Sequence, residues 1–152
     1  MNSRMSSLQE HGNDLGLLFL RLGVGVSMIA FFGLTKIRDA SAFLHTGQWS
    51  FVDFNRKVGL PLPVLIAFAQ TANETLVALL LALGLGGRMP GLLLFIGFVA
   101  ATACSMKAQE SWLLPGYFAL IFGTLALTGP GRLTLDSLLK WRARAGSATE
   151  TK

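Results

Sequence analysis

Apolar residues along this chain run in long unbroken blocks, with glycine, proline and charge placed mostly between the blocks. A helix crossing roughly 30 Å of hydrocarbon needs about 20 residues, with about 17 as the lower limit. Four blocks reach that length, at about 15–34, 62–85, 90–106 and 112–128. Asn13 and Asp14 precede the first, and Lys36, Arg38 and Asp39 follow it. Pro61 and Pro63 open the second and Gly84, Gly86 and Gly87 close it, matching the preference for proline at helix starts and glycine at helix ends. Only residues 107–111 separate the third and fourth blocks, which predicts an antiparallel helical hairpin, and Gly129, Pro130 and Gly131 end the last. None of the blocks alternates with the period of two that a membrane β-strand requires.

The pattern predicts an all-α polytopic membrane protein: an N-terminal segment 1–14, a four-transmembrane-helix bundle over 15–139, and a basic, largely disordered tail 140–152. The longest joint, 35–60, is not linker-like. Phe43, Leu44, Trp49, Phe51, Phe54 and Val58 are interleaved there with Arg38, Asp39, His45, Asp53, Arg56 and Lys57. Such interleaving suits one or two short interfacial helices forming a lid on the outer face. Between 133 and 144, Leu135, Leu138, Leu139 and Trp141 alternate with Lys140, Arg142 and Arg144, the pattern of an amphipathic helix on anionic lipid.

Composition agrees with the pattern, since 52% of residues are hydrophobic and 14% charged, a poor match to a soluble domain. The net charge of +5 is scattered between apolar blocks and the tail, which argues against a nucleic-acid face and for spans that are oriented by their flanks. With four spans, Arg4, Arg88, Arg132, Lys140, Arg142, Arg144 and Lys152 share one side, against Lys36, Arg38, Arg56, Lys57 and Lys107 on the other. That imbalance favours both termini in the cytoplasm of a bacterial cell with the chain in its inner membrane. Ala40, Ser41 and Ala42 offer a cleavage-like pattern after the first block, but its length and Arg21 fit a retained span better than a signal peptide. Cys104 is the only cysteine, so no intrachain disulfide and no thiol cluster can form, and His45 lacks a partner at ligand spacing. No metal site is expected.

Chemistry is to be sought where ionisable groups lie inside hydrocarbon, because a charge at mid-span costs about 2.5–3.5 kcal/mol unless it is paired, snorkelling or used. Arg21 and Glu74 are the two such groups. Taking the first two helices as antiparallel and of matching ends, their depths differ by roughly 6 Å at 1.5 Å per residue, within reach of an extended arginine. Gln70, Thr71 and Glu74 form a polar stripe with Asn73 at its side, while Gly23 and Gly25 leave room for close helix approach or for a ligand. Two readings stay open: a salt bridge between Arg21 and Glu74 that fixes register, or a polar pocket holding the head of a quinone or another apolar ligand.

The first helix also reads R-L-G-V-G at Arg21 and G-L-T-K at Gly33, G-L-P-L-P precedes the second, and the chain closes its last helix with G-P-G-R-L-T-L-D from Gly129. With the four-helix layout, these motifs resemble the DoxX family of small prokaryotic membrane proteins. The resemblance implies an oxidoreductase-associated role, including membrane subunits that act with quinone beside a partner enzyme. Its recurring polar positions fall on Arg21, Lys36, Glu74 and Arg132, and its glycines on Gly25, Gly33, Gly129 and Gly131. The chain has no haem-ligand pair, cysteine cluster or dinucleotide fingerprint, so a quinone is the one cofactor expected and any catalysis needs a partner.

The resulting expectation is a quinone-docking or accessory subunit, at most a quinone-linked oxidoreductase. Glu74 and Arg21 stand as the catalytic candidates. Arg21, Gly25, Lys36, Gln70, Asn73 and Glu74 line the ligand site, with Lys36 at its outer mouth. Gly129, Pro130, Gly131 and Arg132 form a structural or membrane-surface motif. The alternatives are a non-catalytic scaffold for a peripheral enzyme and a small-molecule transporter. The partners expected are lipid, a membrane or peripheral oxidoreductase and further copies of the chain, with no nucleic acid.

Overall fold

A computed structural model describes residues 2–140, with side chains from residue 11 onward; the expectations for 141–152, including Trp141 and the basic tail, fall outside the described residues. Within them every regular element is helical. Helix α1 begins at Asn2–Met28, passes through a π-helical turn at Ile29–Gly33, and continues as Leu34–Thr46. A short helix α2 (Ser50–Lys57) follows. Helix α3 comprises Pro63–Ala72, a second π turn at Asn73–Val77, and Ala78–Leu83. Helices α4 (Met89–Lys107) and α5 (Leu113–Thr128) come next, and a short helical turn α6 covers 135–140.

Three of the four expected spans end close to where the punctuation places them. Pro63 supplies the first turn of α3, and Gly84, left-handed at φ 68°, terminates it. The first helix differs. It already runs through residues 2–14 and does not stop at Leu34, because Lys36, Arg38 and Asp39 end an apolar stretch without ending a helix. Nothing between Gly33 and Gly47 breaks the backbone ladder; Gly47, at φ 69°, finally caps it by donating its N–H to Phe43 O at 2.8 Å. About half of the expected lid is therefore an extension of α1, and α2 is the remainder.

By length and composition, α1 (from His11 to Thr46), α3 and α4 can each cross a membrane, while α5 is an apolar helix of 16 residues. Helices α1, α3, α4 and α5 meet in a core of Val24, Met28, Ala78, Leu81, Leu94, Phe98, Ala119, Phe122 and Leu125. Outward lie Phe19, Phe31, Leu120 and Leu127, each about two-thirds or more exposed, the apolar exterior of a protein whose solvent is lipid. Small residues set the close approaches. A Cβ on Gly25 would lie 2.9 Å from Ala82 Cβ, and one on Gly91 would lie 3.0 Å from the backbone of Ala126 in the antiparallel α4–α5 hairpin. A second cluster, Ala40, Trp49, Val52 and Ala67, packs α2 and the end of α1 against the start of α3. Asn55, buried in α2, donates to Pro63 O at 3.0 Å and fixes that junction.

Candidate functional site

The two π turns lie side by side. In each, a backbone N–H reaches five residues back: Leu34 to Ile29 O, and Ala78 to Asn73 O. An added residue in one turn rotates everything beyond it by about 100° relative to a continuous α-helix, and π turns of this kind recur at functional sites. Gly33 occupies the contact between them, since a Cβ there would lie 3.2 Å from Glu74 O and closer still to the Thr75 methyl. The hydroxyls of Thr71 and Thr75 are spent on carbonyls one turn back, Ala67 O at 2.8 Å and Thr71 O at 2.7 Å.

Just past the α1 π turn, Lys36 Nζ donates to Glu74 Oε1 at 2.6 Å, and Gln70 Nε2 donates to the same oxygen at 3.0 Å. The ammonium also lies 4.2 Å from the centroid of the Phe51 ring on α2. The Glu74 side chain is 4% exposed and that of Lys36 20%, so the pair is buried on the acid's side and reaches outward on the base's. Glu74 Oε2 is buried with no hydrogen-bond partner among the described residues. Such an atom needs a physical account, because a buried acceptor left unmade costs about 1–3 kcal/mol.

The account begins with the space beside it. Lys36, Gln70 and Glu74 line a cavity of about 410 Å³, whose walls carry the rings of Phe32, Phe51, Phe54, Phe98 and Phe118 together with Asn55, Cys104, Ser105 and Glu110. This is the combination by which small-ligand sites are recognised: an apolar, aromatic chamber with a few convergent polar groups. Helix α2 and the α4–α5 joint close its outer end. Lys107 Nζ donates to Val58 O at 2.6 Å and Lys57 approaches Glu110 at 3.8 Å, so neither joint residue is simply solvated.

Arg21 is elsewhere, and the expected pairing with Glu74 is not made. Its Nη1 donates to Pro130 O at 2.5 Å and its Nη2 to Leu133 O; the side chain packs under Gly84, where an added Cβ would lie 2.6 Å from Nη1. Because α1 extends beyond α3 at both ends, Arg21 is level with the Gly84 turn and Gly33 is level with Glu74. The two levels are twelve residues apart on α1, about 18 Å at a rise of 1.5 Å per residue. The expected 6 Å offset assumed matching helix ends. Gly25 serves helix packing against Ala78 and Ala82, and Asn73 donates to Leu93 O on α4 at 3.3 Å, so neither lines the cavity. Of the six ligand-site candidates, Lys36, Gln70 and Glu74 come together, with Lys36 the more exposed member of its pair with Glu74.

The closing segment 129–137 gathers the other polar residues. Besides the Arg21 bonds, Arg132 N donates to Asp14 Oδ1 and Gly86 N to Asp136 Oδ2, both at 3.0 Å. Thr134 and Ser137 cap α6 reciprocally through their hydroxyls. The segment thus ties α1, the 84–88 loop and α6 together.

The sequence profile of the DoxX family matches residues 16–108, from early in α1 to the end of α4. The chain belongs to the DoxX family. The matched stretch contains Lys36, Gln70, Glu74 and both π turns of this DoxX membrane protein, whereas its closing motif lies beyond the match and does not carry the membership. Neither a curated protein nor a solved structure matches the chain.

Sequence reading had not singled out the aromatic lining from α2, α4 and α5. Phe51 and Phe54 stood only as lid residues. The available signal was the 3.6-residue spacing of Phe51, Phe54, Asn55 and Val58 within 50–58, which puts one face of a short helix against the bundle.

Proposed function

We propose that this DoxX protein docks the head group of a membrane quinone in the Lys36–Glu74 cavity, as a quinone-docking or accessory subunit of a membrane-associated oxidoreductase. The observation that carries the reading is the Glu74 carboxylate. It is ion-paired on one oxygen, unpartnered on the other, and sits at the wall of a chamber with five phenylalanine rings. A flat, apolar ring with oxygens at its edge complements such a chamber, since aromatic faces stack on it while its polar edge meets the Lys36, Gln70 and Glu74 cluster. The isoprenoid tail would leave along the apolar exterior into lipid. In this reading α5 is a fourth span, the termini are cytoplasmic, and the membrane is the bacterial inner membrane. The lid and cavity then lie toward the outer leaflet.

Mass spectrometry of molecules extracted from the protein purified in mild detergent tests the reading. A quinone enriched in the wild type and lost from a folded Lys36→Met variant, which lacks the donor to its carbonyl, supports it. No specific small molecule in the wild type transfers the assignment to a scaffold for a peripheral enzyme.

A further inference from the structure

We infer that the cavity discriminates by hydrogen-bond polarity and holds the hydroxyl-bearing, reduced form of its ligand, a quinol, more tightly than the carbonyl-bearing quinone. The inference rests on the reading of the cavity as a quinone site and adds which redox form that site prefers.

The polar end of the cavity presents a small set of donors and acceptors on Lys36, Gln70 and Glu74. An ionised carboxylate only accepts. Glu74 Oε1 already receives Lys36 and Gln70, and Oε2, buried and unpartnered, is an acceptor waiting for a donor. The last torsion of a glutamate side chain is soft, so the carboxylate can turn Oε2 toward the cavity while Lys36 keeps its hold. Gln70 spends one N–H of its amide on Glu74 and keeps a second, beside a carbonyl oxygen directed at the Gly97 side, where a Cβ would lie 3.1 Å from it. Among the described residues Lys36 is the one cation lining this cavity, and it is held by Glu74 and the Phe51 face. Ser105 donates or accepts equally well and so discriminates nothing.

A quinol hydroxyl does two things there. It donates to Glu74 Oε2 and accepts from a remaining Lys36 N–H. A quinone carbonyl accepts from Lys36 or from the second Gln70 N–H but leaves Oε2 without a donor. Sites built around a substrate hydroxyl reject analogues lacking it because their own buried groups are then stranded. One stranded acceptor corresponds to a preference of about tenfold. By linkage, a tenfold tighter hold on the quinol raises the two-electron midpoint potential of the bound couple by about 30 mV.

The test is anaerobic binding to the full-length detergent-solubilised protein of three probes that share one shape: a decyl-chain benzoquinone, its quinol, and the quinol dimethyl ether, which has no donor. The expected result is a quinol dissociation constant about tenfold below those of the other two. In folded Glu74→Gln, whose amide also donates, the quinone and quinol are expected to converge to within about threefold. Equal wild-type affinities, or tighter quinone, overturn the preference and leave the cavity a quinone site. A tenfold preference that survives in Glu74→Gln removes Glu74 from the assignment. If none of the three probes binds, the quinone reading fails and the preference with it.

Discussion

Two buried charges lie at different levels of the bundle, Arg21 at the Gly84 turn and Glu74 at mid-helix, and they are satisfied in different ways. Arg21 sits under the Gly84 turn and gives both terminal nitrogens to main-chain carbonyls of the closing segment, Pro130 and Leu133. Its Nε is buried without a partner among the described residues and the side chain lines a cavity of about 320 Å³, while Asp14 and Asp136 accept backbone amides nearby. Glu74 also has one unpartnered atom, but its bonded oxygen is shared between two side chains, not main-chain groups, and its cavity is walled by five phenylalanine rings. A guanidinium fixed to backbone is a fastening, because its partners cannot leave without moving the chain. A carboxylate with a side-chain partner and a spare lone pair beside open volume can exchange partners. Burial alone therefore does not identify a working residue; the arginine is slightly the more buried of the two.

The largest effect should fall on the fastening. Arg21→Ala strands two carbonyls and opens a hole at the closing segment, so a loss on the order of 3–5 kcal/mol is expected in unfolding of the detergent-solubilised protein. A loss below about 1 kcal/mol would remove the distinction between the two ends. Next comes Lys36→Met, which leaves Glu74 buried without its counter-ion. About 2–3 kcal/mol is expected, below the roughly 3–5 of a fully enclosed pair because Lys36 keeps some exposure. The double variant Lys36→Met with Glu74→Gln should recover most of that loss, and additivity of the two single effects would show that the pair is not coupled.

Gly33→Ala should cost about 1–3 kcal/mol by forcing the two π turns apart. Adding Thr75→Ser, which deletes the methyl in the way, is expected to restore about half, and unchanged stability of the double variant would place the strain elsewhere. The smallest stability effect is expected for Glu74→Gln alone, within about 1 kcal/mol, since the amide still accepts from Lys36. Its consequence should appear in ligand retention. A variant as unstable as Arg21→Ala would make Glu74 a second fastening and merge the two ends into one kind of site.

Much of the architecture was legible in the sequence. The helix ends at Pro63, Gly84 and Gly129, the α4–α5 hairpin and the need of Glu74 for a partner all follow from apolar run length, backbone-specific residues and the cost of charge in hydrocarbon. Gln70 was legible as well, one turn from Glu74 on the same face. The Arg21–Glu74 salt bridge, one of the two readings left open, is not made. Charges at Lys36, Arg38 and Asp39 mark the edge of an apolar segment, yet they do not interrupt backbone hydrogen bonding, so α1 continues to Thr46 and the ends of its apolar run do not reveal its register against α3.

Which segments are apolar helices, and which buried groups need a partner, can be read without the fold because those properties depend on local composition and on intrahelical spacing. The tertiary structure alone decided who the partners are. Register between helices is set by where small residues allow close approach, Gly25 against Ala82 and Gly33 against Thr75, and by two π turns that shift the phase of everything beyond them. Those contacts join residues dozens of positions apart, and helical periodicity carries no information across that distance. They bring Lys36 to Glu74 and leave Arg21 to the closing segment.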